Sequence, residues 1–241
     1  MSLHPRERLI VALDFPVADE ALRFVESLGD TVTYYKVGLE LFSAVGPEIV
    51  KKLKSMGKYV FLDLKFHDIP NTVAGAAARA VAMGADIFNV HVLGGMAMMR
   101  AAIAAASQTA QQLGCRRPTI VGVTVLTSFD QDTLEREVGV ILPDGIGAYV
   151  TAKARQAKQA GLDGVVASPR EIQDVRSACG DEFQIITPGV RPAWASSDDQ
   201  KRVATPSQAL QMGADRIVVG RPITRAASPL AAVEQILSEI S

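Results

Sequence analysis

Met83-Gly84-Ala85-Asp86-Ile87-Phe88-Asn89-Val90 is the stretch that decides the architecture of this chain. An Ala-rich, helix-forming segment ends at Met83, Gly84 supplies the turn, and an apolar run suited to a buried strand begins at Ile87. The same junction returns as Ala160-Gly161-Leu162-Asp163-Gly164 and again as Met212-Gly213-Ala214-Asp215. Three copies of one helix-to-strand turn point to a repeating unit. Working outward, strands are predicted at Leu9–Leu13, Tyr34–Val37, Tyr59–Leu64, Ile87–Val90, Ile120–Leu126, Gly164–Ala167, Gln184–Thr187 and Arg216–Val219. Between them, segments rich in Ala, Leu, Glu, Gln and Lys predict helices over Ala18–Leu28, Glu40–Met56, Thr72–Met83, Met96–Leu113, Gly145–Ala160, Pro169–Ala178 and Pro206–Met212. A last helix is expected over Pro229–Ile240.

Eight βα units in 241 residues predict an α/β chain folded as one (β/α)8 TIM barrel, a single domain over 1–241. A doubly wound open sheet competes, but it commonly has fewer strands, and no GxGxxG follows the first strand here. No linker or shift in composition suggests a second domain. The alanine-rich stretches Ala74–Ala82 and Ala101–Ala106 are read as small residues that let helices pack closely on the barrel.

Composition narrows the function classes. The chain is 48% hydrophobic and 21% charged, as expected of a globular protein with a full core. A formal net charge of −1 leaves no basic field to hold nucleic acid or an anionic membrane, so any bound anion needs a local site. Cys115 and Cys179 stand far apart, with no CxxC and no secretory signal, which points to the reducing cytoplasm. Leu9–Leu13 is too short for a signal core or a membrane span.

A barrel of this kind carries its active site at the C-terminal ends of the strands. The polar residues expected there are Asp14, Lys36, Asp63 with Lys65, Asn89 with His91, Thr124 with Thr127, Ser168, Arg191 and Arg221. In an extended strand residues two apart point the same way, so Asp63 and Lys65 share a face opposite Leu62 and Leu64. Alone, that pair reads equally well as a structural ion pair at the rim. Lys36 and Asp68 can extend it into an alternating Lys–Asp row in which every member stays charged. The second half of the barrel offers an anion site. Thr187-Pro188-Gly189-Val190-Arg191-Pro192 and Val219-Gly220-Arg221-Pro222 follow strands seven and eight, where backbone N–H groups and an arginine fork suit a phosphate. The plain alternative is that Gly220 and Arg221 merely cap the last strand.

Other residues are read more modestly. His67 and His91 fit hydrogen-bonded structural histidines better than ligands or bases, and Trp194 is read as loop packing. Asp63, Asp86 and His91 do not make a metal site, because Asp86 opens its strand and so lies at the wrong end of the barrel. The segment Ala193–Thr205, long and polar between strand seven and the next helix, is expected to be a mobile lid.

The motifs D-L-K-F-H-D-I-P-N-T (63–72), V-T-V-L-T-S (123–128), T-P-G-V-R-P (187–192) and V-G-R-P (219–222) resemble the orotidine 5′-phosphate decarboxylase family, in order and spacing, from Leu9 to the final helix. The resemblance implies cofactor-independent and metal-independent decarboxylation of orotidine 5′-phosphate to UMP. It implies that Lys65 donates a proton to C6, that Asp63 sits against the substrate carboxylate, and that Lys36 and Asp68 complete the charge array. Asp14 and Lys36 would hold the ribose hydroxyls and Thr127 the base. Arg191, Gln200, Gly220 and Arg221 would bind the 5′-phosphate, with Pro188 also among the substrate-binding residues. Asp68 and Thr72 would enter the neighbouring subunit's site, making a homodimer obligatory. The nearest rivals are a magnesium-dependent sugar-phosphate enzyme of the same superfamily, a phosphosugar isomerase barrel and a non-catalytic nucleotide-binding barrel. The first carries an acid where this chain has Lys36, the second wants a glutamate base, and the third has no use for Lys65.

Overall fold

The computed structural model describes residues 3–195 and 204–241. Eight parallel strands close into one barrel in chain order: β1 (Leu9–Ala12), β2 (Tyr34–Gly38), β3 (Tyr59–Phe66), β4 (Ile87–His91), β5 (Thr119–Val123), β6 (Gly164–Val166), β7 (Gln184–Thr187) and β8 (Arg216–Val219). β8 pairs with β1, Leu9 opposite Ile217, and this contact seals the ring. The helices are α1 (Pro5–Arg8), α2 (Ala18–Leu28), α3 (Leu39–Val45), α4 (Glu48–Ser55), α5 (Pro70–Ala82) and α6 (Gly95–Leu113) in the first half. The second half holds α7 (Gln131–Arg136), α8 (Gly145–Ala160), α9 (Ile172–Cys179), α10 (Pro206–Gln211), α11 (Arg221–Thr224) and α12 (Pro229–Glu239). Among the described residues, no helix is long and apolar enough to cross a membrane.

Every expected strand is present, so the barrel reading holds. Two boundaries differ for visible reasons. The expected Glu40–Met56 helix is two helices, because Gly46 turns to φ +67° and Pro47 cannot continue a helical ladder. β5 ends at Val123 instead of Leu126, where the chain turns and the Leu126 carbonyl accepts the Phe129 N–H at 2.9 Å.

Period-two alternation divides the strands between two cores. Leu9, Val11, Tyr35, Val37, Val60, Leu62, Phe88 and Val90 face the helices. Ile10, Ala12, Tyr34, Phe61, Ile87, Val121, Ile186 and Val218 fill the barrel axis. Counting two further along the axial positions of β1, β2, β3, β4, β7 and β8 reaches Asp14, Lys36, Asp63, Asn89, Pro188 and Gly220. The apolar plug therefore ends where the polar mouth begins, and the alternation of each strand delivers these residues to one place.

Candidate active site

Four charged side chains form an alternating row across β1, β2 and β3. Lys36 Nζ lies 3.0 Å from Asp14 Oδ1 and 3.5 Å from Asp63 Oδ2, and Lys65 Nζ lies 2.8 Å from Asp63 Oδ1. The Lys36 and Asp63 side chains are only 11% and 14% exposed. Charges so far out of water are tolerated because each meets an opposite one. Gly38 makes room for the row: a Cβ there would stand 2.9 Å from Lys36 Nζ and 3.4 Å from Asp14 Oδ1.

The contact between Asp63 and Lys65 is as expected, but the strand that makes it is not regular. β3 pairs with β4 at Phe61–Ile87 and Leu62–Phe88, then only again at Phe66–Val90. The residues between bulge out, and Lys65 adopts φ +52°, the one positive φ outside glycine among the described residues. Such a conformation costs about 1–3 kcal/mol and persists only where neighbours hold it. Here the buried Asn89 holds it, its Oδ1 accepting the Lys65 N–H at 2.7 Å. Asn89 Nδ2 in turn donates to Asp63 Oδ1 at 2.7 Å. Asn89 stood in the sequence only as a polar residue at the mouth. Its double role depends on the bulge, which alternation alone does not reveal.

Asp68 does not join the row within its own chain. Its Oδ1 accepts the Ile69 N–H at 2.6 Å, and it forms no ion pair among the described residues. Asp14 takes the place that the sequence offered to Asp68, so the row inside one chain runs Asp14, Lys36, Asp63, Lys65. Residues 67–72, including Asp68 and Thr72, are all exposed at the entrance to α5.

The anion side meets the row directly. Ala12, Asp14, Lys36, Pro188, Gly189, Arg191, Gly220 and Arg221 line a cleft of about 200 Å³. A neighbouring hollow of about 250 Å³ adds Trp194, Ala195 and Arg225 to Arg191 and Arg221. Trp194, read from the sequence as loop packing, is 42% exposed and lines this hollow, next to the part of its loop that lies outside the described residues. Arg225 went unnoticed because it sits a turn beyond the V-G-R-P motif, and only α11 brings it round. Thr127 is half-buried in the loop after β5, at the same end of the barrel. Gln200, and most of the expected lid, lie outside the described residues.

His67 and His91 stack beside the row with ring centroids 5.1 Å apart, and His91 Nδ1 accepts the Leu93 N–H at 3.4 Å. Burial, followed by His67 and Lys65, pushes His91 down to about 4, so its ring is neutral at pH 7. The hydrogen bond and the neutral ring agree with a structural reading of this histidine. Asp86 lies at the opposite mouth, bonded to Lys54 at 2.7 Å, and cannot join Asp63 and His91 around a metal.

Comparison with known proteins gives one family. Residues 7–236 match the family model described as orotidine 5′-phosphate decarboxylase / HUMPS family. An orotidine 5′-phosphate decarboxylase of Moorella thermoacetica is 50% identical, over 99% of this chain and 94% of the relative. One from Syntrophomonas wolfei is 48% identical, over 99% of each chain. The crystal structure of orotidine 5′-phosphate decarboxylase from Lactobacillus acidophilus superposes with a TM-score of 0.85 at 38% identity, covering 97% of this chain and 98% of that one.

Proposed function

The chain belongs to the orotidine 5′-phosphate decarboxylase / HUMPS family, and from that membership we propose that it decarboxylates orotidine 5′-phosphate to UMP and CO₂ in pyrimidine biosynthesis, with Lys65 as the proton donor. The observation that carries the reading is the Asp14–Lys36–Asp63–Lys65 row standing in one mouth with the Arg191 and Arg221 cleft. When the C6–carboxylate bond breaks, its electron pair stays on C6 in the ring plane, where the ring carbonyls cannot delocalise it. A cation beside C6 stabilises that pair, and an N–H on the same cation can then protonate it. Lys65 supplies both. Asp63 stands against the leaving carboxylate, and their repulsion disappears as CO₂ departs.

One contact is too little. Two unit charges about 4 Å apart are worth roughly 4 kcal/mol at an effective dielectric near 20, against the roughly 8–23 kcal/mol that enzymes remove from barriers. The rest is assigned to the fixed row of charges and to grip on the phosphate by Arg191, Gly220, Arg221 and Gln200. Asp14 and Lys36 take the ribose hydroxyls, Thr127 the base, and Pro188 flanks the cleft. The active unit is a homodimer in the cytoplasm, each barrel one domain, with Asp68 and Thr72 reaching the neighbour's mouth. Their exposure beside Ile69, itself 66% exposed, supports this. The reaction needs no cofactor and no metal. A magnesium-dependent sugar-phosphate reaction is disfavoured by Lys36, whose ammonium stands between two carboxylates where a cation would otherwise go.

The deciding experiment follows CO₂ release from carboxyl-labelled orotidylate. The wild type should release it equally with and without EDTA, and Lys65→Ala should lose about 10⁴-fold or more in kcat. Activity abolished by the chelator, or retained by Lys65→Ala, contradicts the proposal.

A further inference from the structure

We propose that Asn89 is a positioning residue for this reaction, a clip that fixes Asp63 and the bulged Lys65 together at C6; the role rests on the assignment of Lys65 above. Between Leu62 and Phe66 β3 advances four residues while β4 advances two, from Phe88 to Val90. The surplus chain has to leave the ladder, and it does so at Asp63, Leu64 and Lys65. The Lys65 N–H bonds to the Asn89 side chain at 2.7 Å.

The amide has one orientation that works. Lys65 N is a donor, so Asn89 Oδ1 must face it, and this turns Nδ2 toward Asp63, where it donates to Oδ1 at 2.7 Å. Lys65 Nζ reaches the same Oδ1 of Asp63 at 2.8 Å. One carboxylate oxygen therefore receives both the ammonium that must act and the amide that holds its main chain. Asn89 itself is fully buried on β4, two residues above Ile87 of the barrel axis, and cannot drift. No other residue type of this size offers one acceptor and one donor in that fork. Leucine fills the space but makes neither bond. Aspartate accepts from Lys65 N–H but, while ionised, cannot donate to Asp63 and sets a second carboxylate against it.

A clip that served only the fold would affect stability and leave the reaction of the folded protein alone. The test therefore reads kinetics, ligand binding and pH together, on the full chain. Asn89→Leu should lose about 10²-fold in kcat, the usual scale for a misplaced reacting group, with KM and UMP affinity within about threefold of wild type. Asn89→Asp should be nearly inactive at pH 8, and its activity relative to wild type should rise as pH falls toward 5, when the new carboxyl gains a proton and becomes a donor. UMP binding verifies that each variant is folded, and Asn89→Asp decides the matter if Asn89→Leu is not. An Asn89→Leu enzyme with wild-type kcat, or an Asn89→Asp enzyme whose activity relative to wild type does not change with pH, overturns the clip. A wild-type protein that releases no CO₂ overturns the decarboxylase reading instead.

Discussion

Gly38 shows how closely single residues are drawn around the charged row. It ends β2 with φ −95°, a backbone any residue adopts, so the lack of a side chain is needed for space alone. The atom that an added methyl would strike at 2.9 Å is the far end of the Lys36 side chain, which can swing aside. Gly38→Ala is therefore expected to keep its unfolding free energy within about 1 kcal/mol, the scale of a helix N-cap exchange, while kcat/KM falls about tenfold or more. Matched urea melts and steady-state assays check both halves. His91 gives a second residue-scale prediction, in pH. Its folded value of about 4 lies below the ordinary 6.5, so above pH 6.5 both folded and unfolded rings are neutral and the group is silent. As pH falls from 6.5 to 4 the unfolded chain takes up the proton first, and stability drops. Below 4 both forms are charged and the loss is complete. His91→Gln should flatten the acid limb of the stability curve across that window, by at most about 1.4 kcal/mol per pH unit, reduced by the ring's partial exposure. An unchanged slope in thermal melts from pH 7 to 4 excludes this.

At the scale of elements, the three repeated turns do more than join helix to strand. Asp86 stands just before β4 and accepts the Val60 N–H of β3 at 2.8 Å. Asp163 accepts the Ile120 N–H of β5 at 2.7 Å, and Asp215 the Ile185 N–H of β7 at 2.7 Å. Each carboxylate also holds a cation at 2.7 Å: Lys54, Arg117 and Arg176 respectively. The aspartates before β4, β6 and β8 thus each clamp the preceding strand at the mouth away from the polar row, where barrels invest in stability. Asp215→Ala should destabilise by about 2–3 kcal/mol, leaving the Ile185 N–H without its acceptor and Arg176 without its carboxylate, though Arg176 still donates to the Gly213 carbonyl, and should leave kcat of the folded enzyme unchanged. Asp215→Asn should lose less, since an amide oxygen still accepts. The repeated Asp was plain in the sequence and so was the strand order it implies, because local turn chemistry and apolar alternation are written residue by residue. Asp14, Lys36, Asp63, Arg191 and Arg221 were legible for the same reason: each sits at a strand end, and a closed barrel sends all strand ends to one rim. The bulge at Lys65, the clip by Asn89 and the approach of Arg225 were not. Each arises from a difference in length between neighbours, or from a turn, that only the paired chain defines.

The whole molecule leaves one part of the proposed site unplaced within a single chain. Asp68 and Thr72 stand exposed at the entrance to α5, and Asp68 bonds only to the adjacent Ile69 N–H among the described residues. If a second copy receives them, two different defects become complementary. A Lys65→Ala subunit still carries Asp68 to lend, and an Asp68→Ala subunit still carries Lys65. In the mixed dimer one site then holds both intact residues and the other holds neither. Random exchange of equal amounts makes half the dimers mixed, each with one working site of two, so recovery should approach about a quarter of wild-type activity. If Asp68 served its own barrel, every site in every dimer would keep one defect, and mixing would restore nothing. Activity measured after slow co-refolding of the two inactive proteins separates these cases. Recovery must also vanish on dilution below the dimer dissociation constant, since a site assembled from two chains cannot outlive their separation.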